Sequence, residues 1–248
     1  MSYKIPKYSR KSNKYYKVKR KKRIVLHFLF LAILLAFILP YFYNIFRENY
    51  FTSTIENTDS KICEEQYDNS YAQKLCELKV MNVADSDVPK YDRKKFGLPW
   101  ADVDHNGCDT RNDILKRDLR ERNAKGCIVL SGKLDDPYTG EKIDFKRGKY
   151  SAKVQIDHIV ALKNAWISGA WKWSKNKLLF FANDPLNLIA VDGKANQEKG
   201  SQDFYEWKPS NLKVRCSYAK RQIIIKYKYG LSVTSQEKES LMKTISKC

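Results

Sequence analysis

With 248 residues the chain has room for one ordinary domain plus appendages, not for a string of domains. Its 47 Lys and Arg against 28 Asp and Glu give a formal charge of +19, but eleven of those cations, and no acid, fall in residues 1–23. The remaining 36 cations exceed the 28 acids by only 8, which suits a polyanionic partner without requiring one.

Residues 1–23 form a basic, Tyr-containing tail with no core-forming pattern, of a composition that stays unfolded. The next stretch, IVLHFLFLAILLAFILPYFYNIF (24–46), carries no charge and at about 1.5 Å per residue is long enough to cross a bilayer. A cleaved signal peptide would have a shorter apolar core followed by small residues, whereas Pro40, Tyr41, Phe42 and Tyr43 follow here. A signal peptide and a buried core helix are the alternatives; the favoured reading is a single-pass transmembrane anchor. The basic tail then stays in the cytoplasm, Tyr41 and Tyr43 sit at the far interface, and residues 47–248 are extracellular. His27 reads as a tolerated neutral side chain within the span.

All six cysteines (Cys63, Cys76, Cys108, Cys127, Cys216 and Cys248) follow that span. An even number on the oxidising side reads as disulfides, and sequential pairing is the simplest of the fifteen possibilities. Zinc is disfavoured, because no C-x-x-C pair exists and only His105 and His158 remain outside the span. Residues 47–90 are polar and read as a stalk clipped by Cys63–Cys76. From YDRKKFGLPW onward apolar and aromatic residues become dense, and 91–248 reads as one mixed α+β domain with no internal repeat.

Within the domain, GCIVLSGKLDDPYTGEKIDF predicts two strands around a turn, since Asp-Pro and Thr-Gly are turn formers. KVQIDHIV predicts a strand, LKNAWISGAWKW a helix despite Gly169, and LNLIAVD a second strand. GKANQEKGSQDFYEW starts as a turn leading into a helix. Near the end, KVRCSYAKRQIIIKYKYG predicts a helix closed by Gly230, and TSQEKESLMKTISKC one opened by a capping box from Thr234 to Glu237.

The chemistry concentrates in VQIDHIVALKNAW (154–166), where Asp157 and His158 interrupt an apolar strand. Polar groups there are costly unless something pairs with them or binds to them. A second strand brings Asn187, and nine residues later Asn196 opens the following helix. The motifs GCDTRNDILKRDL, DPYTG, DHIVAL, FANDPLNL and AN..KGS, across nearly all of 91–248, resemble the secreted HNH-type endonucleases related to the C-terminal nuclease domain of GmrSD restriction enzymes. That resemblance implies a ββα-metal core with flanking helices and a β-hairpin. It implies His158 as general base, Asn187 as the residue orienting it, and Asp157 and Asn196 as ligands of Mg²⁺ or another divalent cation such as Mn²⁺. A carboxylate and an amide oxygen leave most positions of a hard cation to water and phosphate, which suits Mg²⁺ better than zinc. Adjacent strand residues face opposite sides, so Asp157 can join His158 at one site only if the strand bends or ends there.

Arg111 offers a fork of donors for a phosphate, or else a salt bridge to Asp109 or Asp113. Lys199 offers a second phosphate contact, or else a solvated charge. Asp102, Asp104, Asn106, Gly107 and Asp113 fit positions of a calcium-loop template, with departures at its eighth and twelfth positions, and a disulfide-tied turn is the favoured reading. Trp166, Trp171 and Trp173 read as core residues more than as base-stacking ones. No sequence-reading motif is evident, so binding should be backbone-driven. The expectation is a membrane-anchored, metal-dependent endonuclease acting on nucleic acid, DNA ahead of RNA, with no obligate protein partner. The alternative is a catalytically inactive surface nucleic-acid-binding module.

Overall fold

The computed structural model describes residues 34–43, 45, 60–81 and 87–248. The basic tail, most of the expected anchor and residues 47–59 of the expected stalk lie outside those residues. Inside the expected anchor, Leu34–Ile38 is π-helical and the helix continues to residue 43. Among the described residues no helix is long and apolar enough to cross a membrane. The chain divides into two compact units, Met1–Asp59 and Ser60–Cys248.

The second unit begins earlier than composition suggests. Helix α1 (60–66) and helix α2 (Ser70–Glu77) are joined by Cys63–Cys76, and Leu75 and Leu78 are buried in the main core. Residues 60–81 are therefore part of the packed body; only their outward face is polar. Val80 bridges Val233, which stitches this segment to the C-terminal helices.

Helix α3 (Thr110–Asp118) starts at Asp109, whose side chain accepts from the Asn112 amide. An antiparallel sheet follows in the order β1 (Arg120–Lys125), β2 (Ile128–Asp135), β3 (Lys142–Lys146). β2 and β3 are the expected pair around the Asp-Pro turn. Every residue of β1 is exposed, so its sequence has no alternation to mark it, and pairing with β2 alone makes it a strand.

The site is built on a second, two-stranded sheet. β4 (Val154–His158) runs antiparallel to β5 (Leu188–Asp192), with Asp157 opposite Ile189 and His158 opposite Leu188. Between them lie α4 (Leu162–Ile167) and α5 (Lys175–Asn183). The helix expected over 162–173 stops at Ile167, because Gly169 takes a left-handed φ of 119° and the chain resumes as a short 3₁₀ turn. Helix α6 (Gly193–Lys199) follows β5 directly, with Asp192 capping the Ala195 amide. A Cβ at Gly193 would overlap the Ala152 carbonyl oxygen, so only glycine lets this helix start so close to β4.

One face of β4–β5 (Val154, Ile156, Leu188, Ala190) packs on Ile114, Leu115, Val129 and Phe145 from α3 and the larger sheet. Val191 and Ala195, from the opposite side, join the main core with Trp166, Phe181 and Phe204. That core is closed by α7 (Arg215–Tyr229), ended by left-handed Gly230, and α8 (Ser235–Ile245), capped by Thr234. The disulfides are Cys63–Cys76, Cys108–Cys127 and Cys216–Cys248.

Glu237 does not reach back to complete a capping box. Its Oε2 accepts from Lys226 Nζ at 2.6 Å, both side chains being sealed from solvent, and burial raises the Glu237 pKa despite that lysine. Glu237→Ala would strand a buried ammonium, and equilibrium urea unfolding should show a loss of about 3–5 kcal/mol.

Candidate active site

β4 ends at His158, and there the chain leaves the sheet. Asn187 holds that exit: its Oδ1 accepts from the Val160 amide at 2.9 Å and its Nδ2 donates to the Val160 carbonyl at 3.2 Å. Its main-chain oxygen accepts from the Ile159 amide at 2.8 Å. All of these bonds go to the backbone just after His158, and none goes to the imidazole. Two arginines pin the loop that carries Asn187. Arg117 donates to the carbonyls of Pro185 (2.7 Å) and Leu188 (2.6 Å), and Arg221 to those of Leu186 (2.7 Å) and Leu188 (2.9 Å).

His158 is 7 % exposed, and its Nε2 lies 2.8 Å from the Ala182 carbonyl oxygen. A carbonyl can only accept, so Nε2 carries the hydrogen and, in the neutral ring, Nδ1 holds the free lone pair. Burial lowers the pKa to about 4, outweighing the Ala182 carbonyl and the Asp157 charge, which act the other way. The ring stacks on Trp100, with centroids 6.3 Å apart and planes 14° from parallel.

Asp157, on the other face of β4, is met by groups from two distant segments. Tyr138 Oη donates to Oδ2 at 2.5 Å. Lys199 Nζ lies 2.9 Å from Oδ2 and 3.2 Å from Oδ1, and it also donates to the His158 carbonyl at 2.9 Å. The DPYTG turn aims Tyr138. Its Asp136 accepts from the amide and hydroxyl of Thr139 and, through the other oxygen, from the Asp192 amide where β5 passes into α6.

Lys199, expected at a phosphate, has no exposed surface; its charge is committed to Asp157 inside the fold. A lysine beside a candidate ligand reads as surface in one dimension, and only the closure of α6 over β4 buries it. Asn196 is half-buried, and its Nδ2 donates to Gln155 Oε1 at 2.8 Å, so the amide oxygen is the donor atom it has left to offer. Arg111 is also half-buried; its Nη2 donates weakly to the Val154 carbonyl at 3.4 Å. Burial, and then the nearby Arg147, lower its pKa. Among the described residues no carboxylate ion-pairs with it, so the alternative, a salt bridge to Asp109 or Asp113, does not form.

Arg111, Asp157, His158 and Asn196 all line one cavity of about 520 Å³. Asp157 retains lone-pair capacity on Oδ1, and with the Asn196 oxygen this makes a sparse, hard, all-oxygen donor set. Such a set fits a Mg²⁺-type cation that keeps most of its waters, and does not fit zinc. Among the described residues no cluster of three or more His, Cys, Asp or Glu could hold a metal by itself. In the 102–113 loop the carboxylates turn to the loop's own donors: Asp102 to the Asn106 and Gly107 amides, Asp104 and Asp113 to the Asn106 side chain.

Three contributors escape a reading of the sequence: Trp100 and Arg93, which line the same cavity, and Tyr138, which holds Asp157. The first two lie in YDRKKFGLPW, where an aromatic among cations was a usable signal. Tyr138 sits in a turn motif that explains itself by its turn alone. Trp166, by contrast, is a core residue as expected, 1 % exposed, with its indole donating to the Pro89 carbonyl at 2.7 Å.

The family model for the C-terminal domain of GmrSD restriction endonucleases matches residues 109–244, and the chain belongs to that family. It is 38 % identical over 161 residues to an uncharacterized secreted protein of Arthroderma benhamiae, an alignment spanning 64 % of this chain and 76 % of the relative. No solved structure matches.

Burial of His158 has a measurable consequence. Its folded pKa, about 4, lies below its unfolded value near 6.5, so as pH falls the unfolded chain takes up the proton first. In EDTA, the stabilisation from the neutral ring should be complete above about pH 6.5 and lost by about pH 4, a change of about 3 kcal/mol. Urea unfolding of wild type and His158→Gln across that range should show this extra slope in wild type only.

Proposed function

We propose that the chain is an outward-facing, metal-dependent endonuclease that hydrolyses phosphodiester bonds of nucleic acid, DNA ahead of RNA, with little sequence specificity. One observation carries the reading: a neutral histidine with a free ring nitrogen lines the same cavity as a carboxylate, an amide and an arginine. The succession β4, β5, α6, with Asp157 and His158 closing the first strand and Asn196 on the helix, supports a ββα-metal core. Membership of a restriction-endonuclease domain family supports the nuclease class.

In this reading His158 Nδ1 takes a proton from a water as that water's oxygen attacks phosphorus. The bond to the 3′ oxygen breaks, leaving 5′-phosphate and 3′-hydroxyl ends, and the 3′ oxygen is protonated from solvent. Arg111 receives a non-bridging phosphate oxygen. Asp157 and Asn196 would hold Mg²⁺ or Mn²⁺, which when bound supplies positive charge to the phosphoryl group and leaving oxygen. Tyr138 and Lys199 fix the Asp157 carboxylate, and Asn187 fixes the backbone beyond His158; these three are positioning residues. The three disulfides, and a relative described as secreted, support placement outside the cell, while the uncharged 24–46 run supports attachment to the bilayer.

A second reading, a catalytically inactive nucleic-acid-binding module, draws on the ammonium of Lys199 already neutralising Asp157. Supercoiled plasmid incubated with the full chain separates the two. The nuclease reading expects cutting with Mg²⁺ or Mn²⁺, none in EDTA, and none by His158→Ala, which keeps its salt-sensitive DNA retention. Intact plasmid under every divalent cation contradicts it. Tyr138→Phe, which removes one donor to Asp157, should slow cutting about 10–100-fold, with partial recovery as Mg²⁺ is raised.

A further inference from the structure

A second cavity, of about 760 Å³, is also lined by Trp100 and His158, the two stacked rings. The two cavities share Arg93, Trp100, His158 and Leu162, so they adjoin along these side chains as two lobes. Their linings differ in kind. The first lobe has Arg111, Asp157 and Asn196; the second has Phe96, Leu98, Pro99, Trp100 and Leu162. Leu98 stands at 76 % exposure, a large apolar side chain left to solvent beside the site. Exposed Arg93 and Lys94 flank this lobe, and Asp92 is occupied in capping the Lys94 amide.

Asn183 adds a polar anchor. It lines the apolar lobe, is 1 % exposed, and its Nδ2 donates to the Leu179 carbonyl at 2.9 Å. Its Oδ1, though buried, has no hydrogen-bond partner among the described residues. A buried acceptor without a donor is costly and rare, and here the residue that carries it lines a cavity able to bring a donor. The indole beside it is held in place: Trp100 takes a left-handed φ of 57°, unfavourable for a bulky residue, and its carbonyl accepts from the Thr110 amide at 3.2 Å.

A nucleotide is a phosphate joined to a flat ring with apolar faces and an N–H edge, and the cleft offers those complements side by side. We propose that the apolar lobe is a base-binding subsite. There the Trp100 indole takes the face of an unpaired nucleobase adjoining the phosphate at His158, and the Asn183 amide oxygen accepts from its N–H edge. This rests on the nuclease reading and narrows it, because a base can enter the lobe only from a single strand or a locally opened duplex.

The test measures binding of the full chain in EDTA at low salt to oligodeoxyadenylate and to an abasic tetrahydrofuran oligomer of the same length and charge. Wild type should bind the adenylate about tenfold tighter, the advantage expected from stacking on an aromatic side chain. Trp100→Phe should keep most of that advantage. Trp100→Leu and Asn183→Ala should lose it, with affinity for the abasic oligomer unchanged, which distinguishes a lost contact from a damaged fold. Equal affinity of wild type for the two oligomers overturns the subsite. If plasmid cutting by the same preparation persists in that case, the nuclease reading stands; base-dependent binding without any cutting supports the pocket and overturns the nuclease reading.

Discussion

Two adjacent residues on a strand point to opposite faces, and here both of them line one cavity. Everything around it follows from ending β4 at the second of the two. Beyond His158 the chain is caught by Asn187, whose side chain pairs with both main-chain groups of Val160 and whose carbonyl takes the Ile159 amide. The Asn187 loop is in turn pinned by Arg117 and Arg221 from two different helices, and Asp118 accepts from the Ala190 amide on β5. Asp157 and His158 can therefore border one cavity although α6 covers one side and Trp100 the other.

Holding these groups in a nearly dry interior has an electrostatic cost, which the fold offsets in two ways. For His158 the cost is avoided by neutrality: burial keeps the proton off, and the Ala182 carbonyl selects the tautomer that leaves Nδ1 open. For Asp157 it is met by pairing, with the ammonium of Lys199 and the hydroxyl of Tyr138 from segments far away in the chain. On the proposed function, the neutral imidazole serves as the base and the fixed carboxylate as the metal ligand. Lys226 and Glu237 repeat the pairing in the C-terminal helices, with no link to the cavity, as purely structural groups.

How much of this is legible in one dimension depends on whether a residue's partners are local. β4, β5 and the long helix α7 declare themselves by apolar runs and by Gly230, and the Asp157–His158–Asn187–Asn196 set by type and order. Lys199 is misread because its burial depends on the closure of α6 across β4, made possible by Gly193. The 60–81 segment is misread because its apolar residues are few, and they are buried by helices that lie some 150 residues onward. β1 has no signature at all. Tyr138 stays hidden because it sits in a turn whose local chemistry already accounts for it, and Trp100 because its only signal is an aromatic among the cations of 91–100.

On the proposed function, His158 and the Asp157–Asn196 pair serve one phosphodiester in different capacities. The most direct measurement is single-turnover plasmid cutting by Asn196→Ala and His158→Ala over a wide range of Mg²⁺. The claim requires Asn196→Ala to be slow at low Mg²⁺ and to recover as the cation is raised, while His158→Ala stays inactive throughout. Two variants that cut like wild type, or that recover in parallel, would contradict it.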